Sequence, residues 1–127
     1  MCIRDSNDGL DEISPYDKTI VKQLRNGEIN ELTIDPKELN VNAEGFDNIV
    51  GNDAKFNSEK IIDIFKGNDD DFSKAVSLNA AAGLIISERE DNFKYAYEKA
   101  RDHLLSGKTY SHSVSYTHLT LPTILRV

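Results

Sequence analysis

Asp11 and Glu12 are adjacent carboxylates at the end of the short run Asn7-Asp8-Gly9-Leu10, and Ile13-Ser14-Pro15 follow them. Neighbouring acids repel each other, so a pair held close together needs a cation or full hydration. Hard oxygen donors beside a glycine suit Mg²⁺ at a phosphate-bearing substrate. The same residue types also make an exposed turn with two solvated acids, the commoner fate of Asp and Glu. Ser14 offers a hydroxyl, but no base partner lies near it in the sequence, so a cap or turn is its first reading. Asp69-Asp70-Asp71 reads as a solvated loop and helix N-terminus rather than a metal site. His103 falls at the polar edge of a predicted helix and reads as a surface or helix-end histidine. Asn79, set in an apolar stretch, reads as satisfying a neighbouring backbone group.

These residues must be positioned by regular elements. Residues 19–24 and 29–34 are rich in Ile, Val, Leu and Thr, with Arg25-Asn26-Gly27-Glu28 between them. Asn-Gly is a strong hairpin signal because both residues tolerate positive φ, so two antiparallel strands are expected. Asp35-Pro36-Lys37-Glu38 ends the second strand, since proline cannot donate to a ladder. Residues 39–52 read as loop, with an apolar anchor at Phe46, Ile49 and Val50.

Three helices are expected next. The first covers residues 54–66, with Asp53 as cap, Ile61, Ile62 and Phe65 as its buried stripe, and Gly67 as its end. The second covers residues 72–87 and is apolar nearly all round from Ala75 to Ile86, which predicts burial on most sides. The third covers residues 92–106, with Phe93, Ala96, Tyr97, Ala100 and Leu104 on one face and Gly107 after its end. The fold class is therefore α/β, a β-hairpin followed by three helices. No internal repeat is present.

The two ends read differently. Met1-Cys2-Ile3-Arg4-Asp5-Ser6 back-translates as ATG TGT ATA AGA GAC AG, which resembles a transposon end used to prepare sequencing libraries. Residues 114–123 back-translate to a sequence that resembles the same element in reverse complement, running into its primer tail. Residues 1–6 and 111–127 are accordingly set aside as adapter-derived and non-native, with the junction falling between Tyr110 and Val114. His112 sits at that junction and His118 beyond it.

The chain holds 22 acidic and 15 basic residues among 127, a net charge of −7. Without Arg4, Asp5 and Arg126 the remainder is one unit more negative. Such a surface disfavours nucleic-acid phosphate and anionic membranes as partners. The single cysteine, Cys2, lies in the set-aside segment, so residues 7–110 support neither a disulfide framework nor thiolate catalysis. No apolar run reaches membrane-spanning length, and a cytoplasmic protein is expected.

Taken in order, several blocks resemble the C-terminal part of the anthranilate phosphoribosyltransferase family. The first is Gly9-Leu10-Asp11-Glu12-Ile13-Ser14, followed by Thr19, Val21 and Leu24, then Gly27-Glu28-Ile29, then Asp35-Pro36. Val50-Gly51-Asn52-Asp53-Ala54, with Asn57 and Ile61-Ile62, is similar to the family's Gly-Gly-Asp-Ala…Asn-Ala…Ile segment. Leu78-Asn79-Ala80-Ala81-Ala82 matches a Leu-Asn-Ala-Ala-Ala helix, and Ala100-Arg101 with Ser106-Gly107 fits the last helix. Asn52 stands where the family often has a second Gly, and Ser58 where it often has Ala. The resemblance spans residues 7–110.

The resemblance implies the C-terminal part of a phosphoribosyltransferase/nucleoside-phosphorylase-like α/β domain. It implies transfer of the phosphoribosyl group of phosphoribosyl pyrophosphate to the anthranilate amine, in tryptophan biosynthesis. It also implies Mg²⁺ as cofactor, held by Asp11 and Glu12. No catalytic residue is expected within this chain, because the family's Gly-rich phosphate loop and anthranilate-binding residues lie upstream. The homodimer of the family is made by a helical domain that also lies upstream, and the chain alone is expected to be inactive. Two other readings are a pyrimidine nucleoside phosphorylase and a non-catalytic, nucleic-acid-binding relative. The Asp-Glu block with the Leu-Asn-Ala-Ala-Ala helix speaks against the first, and the acidic charge against the second.

Overall fold

The computed structural model describes the backbone of residues 2–124 and the side chains of residues 6–116. Three strands form one antiparallel sheet in the order β1-β2-β3: β1 (Cys2–Ser6), β2 (Thr19–Arg25) and β3 (Glu28–Ile34). Four helices follow: α1 (Ala54–Phe65), α2 (Asp71–Ile86), α3 (Phe93–Leu105) and α4 (Lys108–Ile124).

The hairpin forms where the turn chemistry puts it. Arg25 pairs with Glu28 across a two-residue loop in which Asn26 has φ 53° and Gly27 has φ 82°. Positive φ at both positions is the conformation whose twist matches the flanking strands. Val21 and Ile34 turn inward from β2 and β3 and join Ile13, Val41, Leu78, Ala81, Ala96 and Tyr97 in the core. The sheet therefore packs on α2, and α2 packs on α3.

A third strand is added to the expected hairpin. Cys2–Ser6 pairs with β2 from Cys2↔Gln23 to Ser6↔Thr19. Pairing along a strand edge uses backbone groups and is largely indifferent to side-chain identity. A fourth helix, α4, likewise continues past the expected three.

The helix ends follow local rules. Asp53 accepts from the Phe56 amide at 2.8 Å, and Asn92 from the Tyr95 amide at 3.2 Å. Asp70 and Ser73 cap α2 reciprocally, the Ser73 amide donating to the Asp70 carboxylate and the Ser73 hydroxyl accepting from the Asp70 amide, both at 3.0 Å. Gly67 ends α1 with φ 99°, and a Cβ there would meet the Leu105 carbonyl at 2.4 Å, so only glycine permits this approach of α1 to α3.

Three packing expectations need correction. In α1 the buried residue is Ile64 at 3% exposure, whereas Ile61 and Ile62 are exposed at 50% and 43%. All three are apolar, and only the position of the neighbouring helices decides which one is covered. In α2 a single stripe is buried (Asp71, Ser73, Ser77, Leu78 and Ala81), while Val76 and Ile86 face outward. Residues 39–52 are anchored by buried Val41 and not by Phe46 or Val50, which are exposed around a 3₁₀ turn at Phe46–Ile49. The α3 face is as expected, with Ala96, Tyr97 and Leu104 buried. Among the described residues no helix is long and apolar enough to cross a membrane.

Candidate functional site

Residues 7–18 form the loop from β1 to β2, and Asp11 and Glu12 sit in it, both exposed. The loop is closed at its base by the Asn7 amide donating to the Lys18 carbonyl at 3.1 Å. The Gly9 amide donates to the Ser6 carbonyl at 3.1 Å, with Gly9 at φ 87°. Asp8 organises the first half. Its carboxylate accepts from the Ser6 and Ser14 hydroxyls and, at 3.3 Å, from the Leu10 amide. Burial would raise the Asp8 pKa, but the Ser14, Ser6 and Leu10 donors outweigh it and lower it.

The second half is held by the core. The Ile13 side chain is 1% exposed, and its backbone is bracketed by the Asn79 side chain. The Ile13 amide donates to Asn79 Oδ1 at 3.0 Å, and Asn79 Nδ2 donates to the Ile13 carbonyl at 3.1 Å and to the Ala75 carbonyl at 2.9 Å. This meets the expectation that Asn79 satisfies backbone groups, and it adds that the groups belong to the residue beside Glu12. Ser14 is fully buried: its hydroxyl donates to Asp8 and accepts from the Tyr16 and Asp17 amides at 3.0 and 3.3 Å. Its amide donates to Thr19 Oγ1 at 3.1 Å. A hydroxyl so engaged is a turn organiser and not a nucleophile.

Asp11 and Glu12 are thus carried between two anchored stretches, and their carboxylates have no hydrogen-bond or ion-pair partner among the described residues. No group of three His, Cys, Asp or Glu suited to a metal occurs among the described residues. The donor set fits a hard, octahedral cation only with most positions filled by water and substrate oxygens, the usual arrangement for Mg²⁺.

Asp69-Asp70-Asp71 departs from the solvated reading in one member. Asp69 is paired with Arg101 through two 2.7 Å contacts, and Asp70 caps α2 and meets Lys60 at 3.0 Å. Asp71 is buried. It accepts from the Glu44 amide and Asn48 Nδ2 at 3.0 Å, from Lys74 Nζ at 2.9 Å, and from the Tyr16 hydroxyl at 3.3 Å. This ties the 39–52 segment and the end of the site loop to α2. Burial alone would raise the Asp71 pKa, yet donation from Asn48, Lys74 and Glu44 wins and brings it to about 2. Burial, then the Asp71 charge, push Tyr16 up to about 12.

A folded pKa below the ordinary 3.8 means that Asp71 contributes stability above that value, and that the contribution is lost as pH falls towards about 2. Asp71→Asn should cost about 1–3 kcal/mol near neutrality, since buried donors lose a charged acceptor. Urea unfolding of both proteins across the acid range checks this. The difference between them should shrink as pH falls, and a constant difference would contradict it.

His103 is exposed on α3, as expected, and His112 is exposed on α4. The side chains of His118 and Cys2 lie outside the described residues. Two site residues escaped the sequence reading. Asp8 is signalled only by the Asp-Gly pair flanked by Ser6 and Ser14. Asp71 is hidden among three identical residues, of which only the first turn of α2 selects one for burial.

A family model described as glycosyl transferase family, a/b domain, matches residues 2–110. The chain is 62% identical over 109 residues to an anthranilate phosphoribosyltransferase of Pelagibacter ubique (strain HTCC1062), covering 86% of this chain and 33% of that relative. It is 34% identical over 104 residues to the enzyme of the same name from Clostridium kluyveri (strain ATCC 8527), covering 82% and 31%. The chain therefore spans about a third of the length of these curated relatives. Among solved structures, anthranilate phosphoribosyltransferase from Thermus thermophilus matches with a TM-score of 0.81 at 21% identity, over 92% of this chain and 34% of that one. The Saccharomyces cerevisiae enzyme in complex with PRPP and Mg matches with a TM-score of 0.74 at 21% identity, over 87% and 32%. At these identities the structural likeness speaks for the fold.

Proposed function

Because this chain belongs to the glycosyl transferase family through its a/b domain, we propose that it supplies the metal-holding portion of an anthranilate phosphoribosyltransferase. The observation that carries this reading is the 62% identity to the Pelagibacter ubique enzyme of that name over 109 residues. In the reaction, the anthranilate nitrogen attacks C1 of phosphoribosyl pyrophosphate. The C1–oxygen bond breaks, pyrophosphate departs with the electron pair, and the amine loses a proton. Positive charge gathers on the ribose and negative charge on the leaving group.

Asp11 and Glu12 present free carboxylate oxygens from a loop fixed at Asp8 and Ile13, and these are the residues that would hold Mg²⁺. Bound there, Mg²⁺ would neutralise and orient the pyrophosphate oxygens. The Saccharomyces cerevisiae enzyme in complex with PRPP and Mg is consistent with this role. The phosphoribosyl and anthranilate contacts belong to the remaining two-thirds of the enzyme, as does a dimer-forming helical domain. A cytoplasmic location goes with a phosphorylated metabolite as substrate. Residues 1–6 and 111–127 are read as adapter-derived, and adapter-free sequencing of the source locus should return different residues there.

The test is a chimera in which residues 7–110 replace the corresponding third of the Pelagibacter enzyme. With phosphoribosyl pyrophosphate and Mg²⁺ it should consume anthranilate, seen as loss of anthranilate fluorescence, and should not phosphorolyse pyrimidine nucleosides. The isolated 127-residue chain should leave the fluorescence unchanged, because positioning of both substrates supplies much of the rate. Nucleoside phosphorolysis by the chimera, or turnover by the isolated chain, would contradict the reading.

A further inference from the structure

Peptide planes on either side of Asp11 and Glu12 are fixed from different parts of the fold. On one side the Leu10 amide is held by Asp8 at 3.3 Å. On the other, the Ile13 amide is held by Asn79 Oδ1 at 3.0 Å. That amide shares its peptide plane with the Glu12 carbonyl, so the bond to Asn79 sets the backbone orientation of Glu12. Asn79 Nδ2 grips the Ile13 carbonyl at 3.1 Å as well. The same nitrogen is itself braced by the Ala75 carbonyl one helical turn back at 2.9 Å. One amide side chain on α2, a helix built into the core, therefore pins both backbone polar groups of the residue following the acidic pair.

We infer that Asn79 is a positioning residue for the Asp11–Glu12 pair, holding the loop in the geometry in which both carboxylates meet one divalent cation. This rests on the reading of Asp11 and Glu12 as the metal pair. Its physical content is preorganisation. The Leu10 carbonyl accepts from the Ser6 amide at 3.3 Å, so with Asn79 in place it is the Asp11–Glu12 peptide that is left to adjust when the cation arrives. Without it, the Ile13 side chain still anchors the chain in the core, but the 12–13 peptide can rotate and carry Glu12 away from Asp11. Groups that orient metal ligands from behind typically contribute about ten- to a hundredfold in metal affinity.

The experiment uses the ¹⁵N-labelled 127-residue chain and Mn²⁺ alone as the probe, read by paramagnetic broadening of amide signals and by amide hydrogen exchange without metal. In the wild type, the Asp11 and Glu12 amides should broaden at lower Mn²⁺ than those of Asp69 and Asp70. In Asn79→Leu the half-broadening concentration should rise about tenfold, and the Ile13 amide should exchange faster. Asn79→Ser, which shortens the reach while keeping a small polar residue, serves if the leucine variant does not fold. Leu104→Ala is the control: Leu104 is buried on α3 outside the cluster that holds Ile13, so the variant should lose stability while keeping the wild-type Mn²⁺ response. Wild-type broadening at Asp11 and Glu12 that survives unchanged in the Asn79 variants would overturn the positioning role and leave the metal pair standing. Absence of selective broadening in the wild type would overturn the metal pair and the inference with it.

Discussion

Asp11→Asn combined with Glu12→Gln in the chimera lowers kcat/KM for anthranilate by about a hundredfold or more, the scale expected when a main electrostatic stabiliser of the leaving group is lost. The substitutions keep the shape of both side chains and remove only their charge. The Mg²⁺ concentration for half-maximal rate should rise in parallel. Thermal stability should hold or increase, because both residues are exposed and two repelling carboxylates have been neutralised. Steady-state kinetics across a Mg²⁺ titration, paired with a melting curve, separates a site effect from a folding defect. Wild-type kinetics at every Mg²⁺ concentration would reduce the pair to a surface turn.

Ala81→Glu unfolds the domain. Ala81 is fully buried in the cluster where α2 meets the sheet and α3, beside Leu78, Ala96 and Tyr97. A carboxylate placed there would be both too large and unpaired. Such changes cost several kcal/mol, a large share of a stability of about 5–15 kcal/mol. Circular dichroism should show loss of the cooperative transition near room temperature. Ala82→Glu should be milder, because Ala82 is half-buried at the edge of the same cluster and its carboxylate can reach water. A native-like melt for Ala81→Glu would mean that α2 is packed in another register.

The parts of this fold that were legible in the sequence are those written in neighbouring residues. Asn26-Gly27 specifies its own turn, and Asp53 caps its own helix, whereas Asn92, expected as the first residue of the third helix, is its cap. Gly67 and Gly107 end theirs, both at positive φ. The parts that were not legible depend on what lies across the core. Ile61, Ile62 and Ile64 are equally apolar, yet Ile64 is buried while Ile61 and Ile62 are exposed, a choice made by where the rest of the chain packs against α1. The apolar content of α2 overstated its burial, because Val76, Ala80 and Ile86 are apolar and yet lie on its exposed side.

The candidate site divides in the same way. The Asp11–Glu12 pair stands out as a motif because its residue types are unusual together. The groups that hold it, Asp8, Ser14 and Asn79, act through contacts within the loop and from a distant helix. Asp71 shows how identical neighbours diverge: the first turn of α2 directs one acid into a set of four donors and leaves the half-exposed Asp69 to Arg101, a partly buried arginine of α3. No periodicity in the sequence marks that choice.

Whether Asp11 and Glu12 hold the divalent cation of a phosphoribosyl transfer is tested most directly by anomalous scattering from Mn²⁺ in crystals of the chimera grown with phosphoribosyl pyrophosphate. A peak is expected at about 2.0–2.3 Å from a carboxylate oxygen of Asp11 and of Glu12, with pyrophosphate oxygens and waters completing the shell. A fully occupied peak bound only to other residues, with both carboxylates left in solvent, would contradict that role.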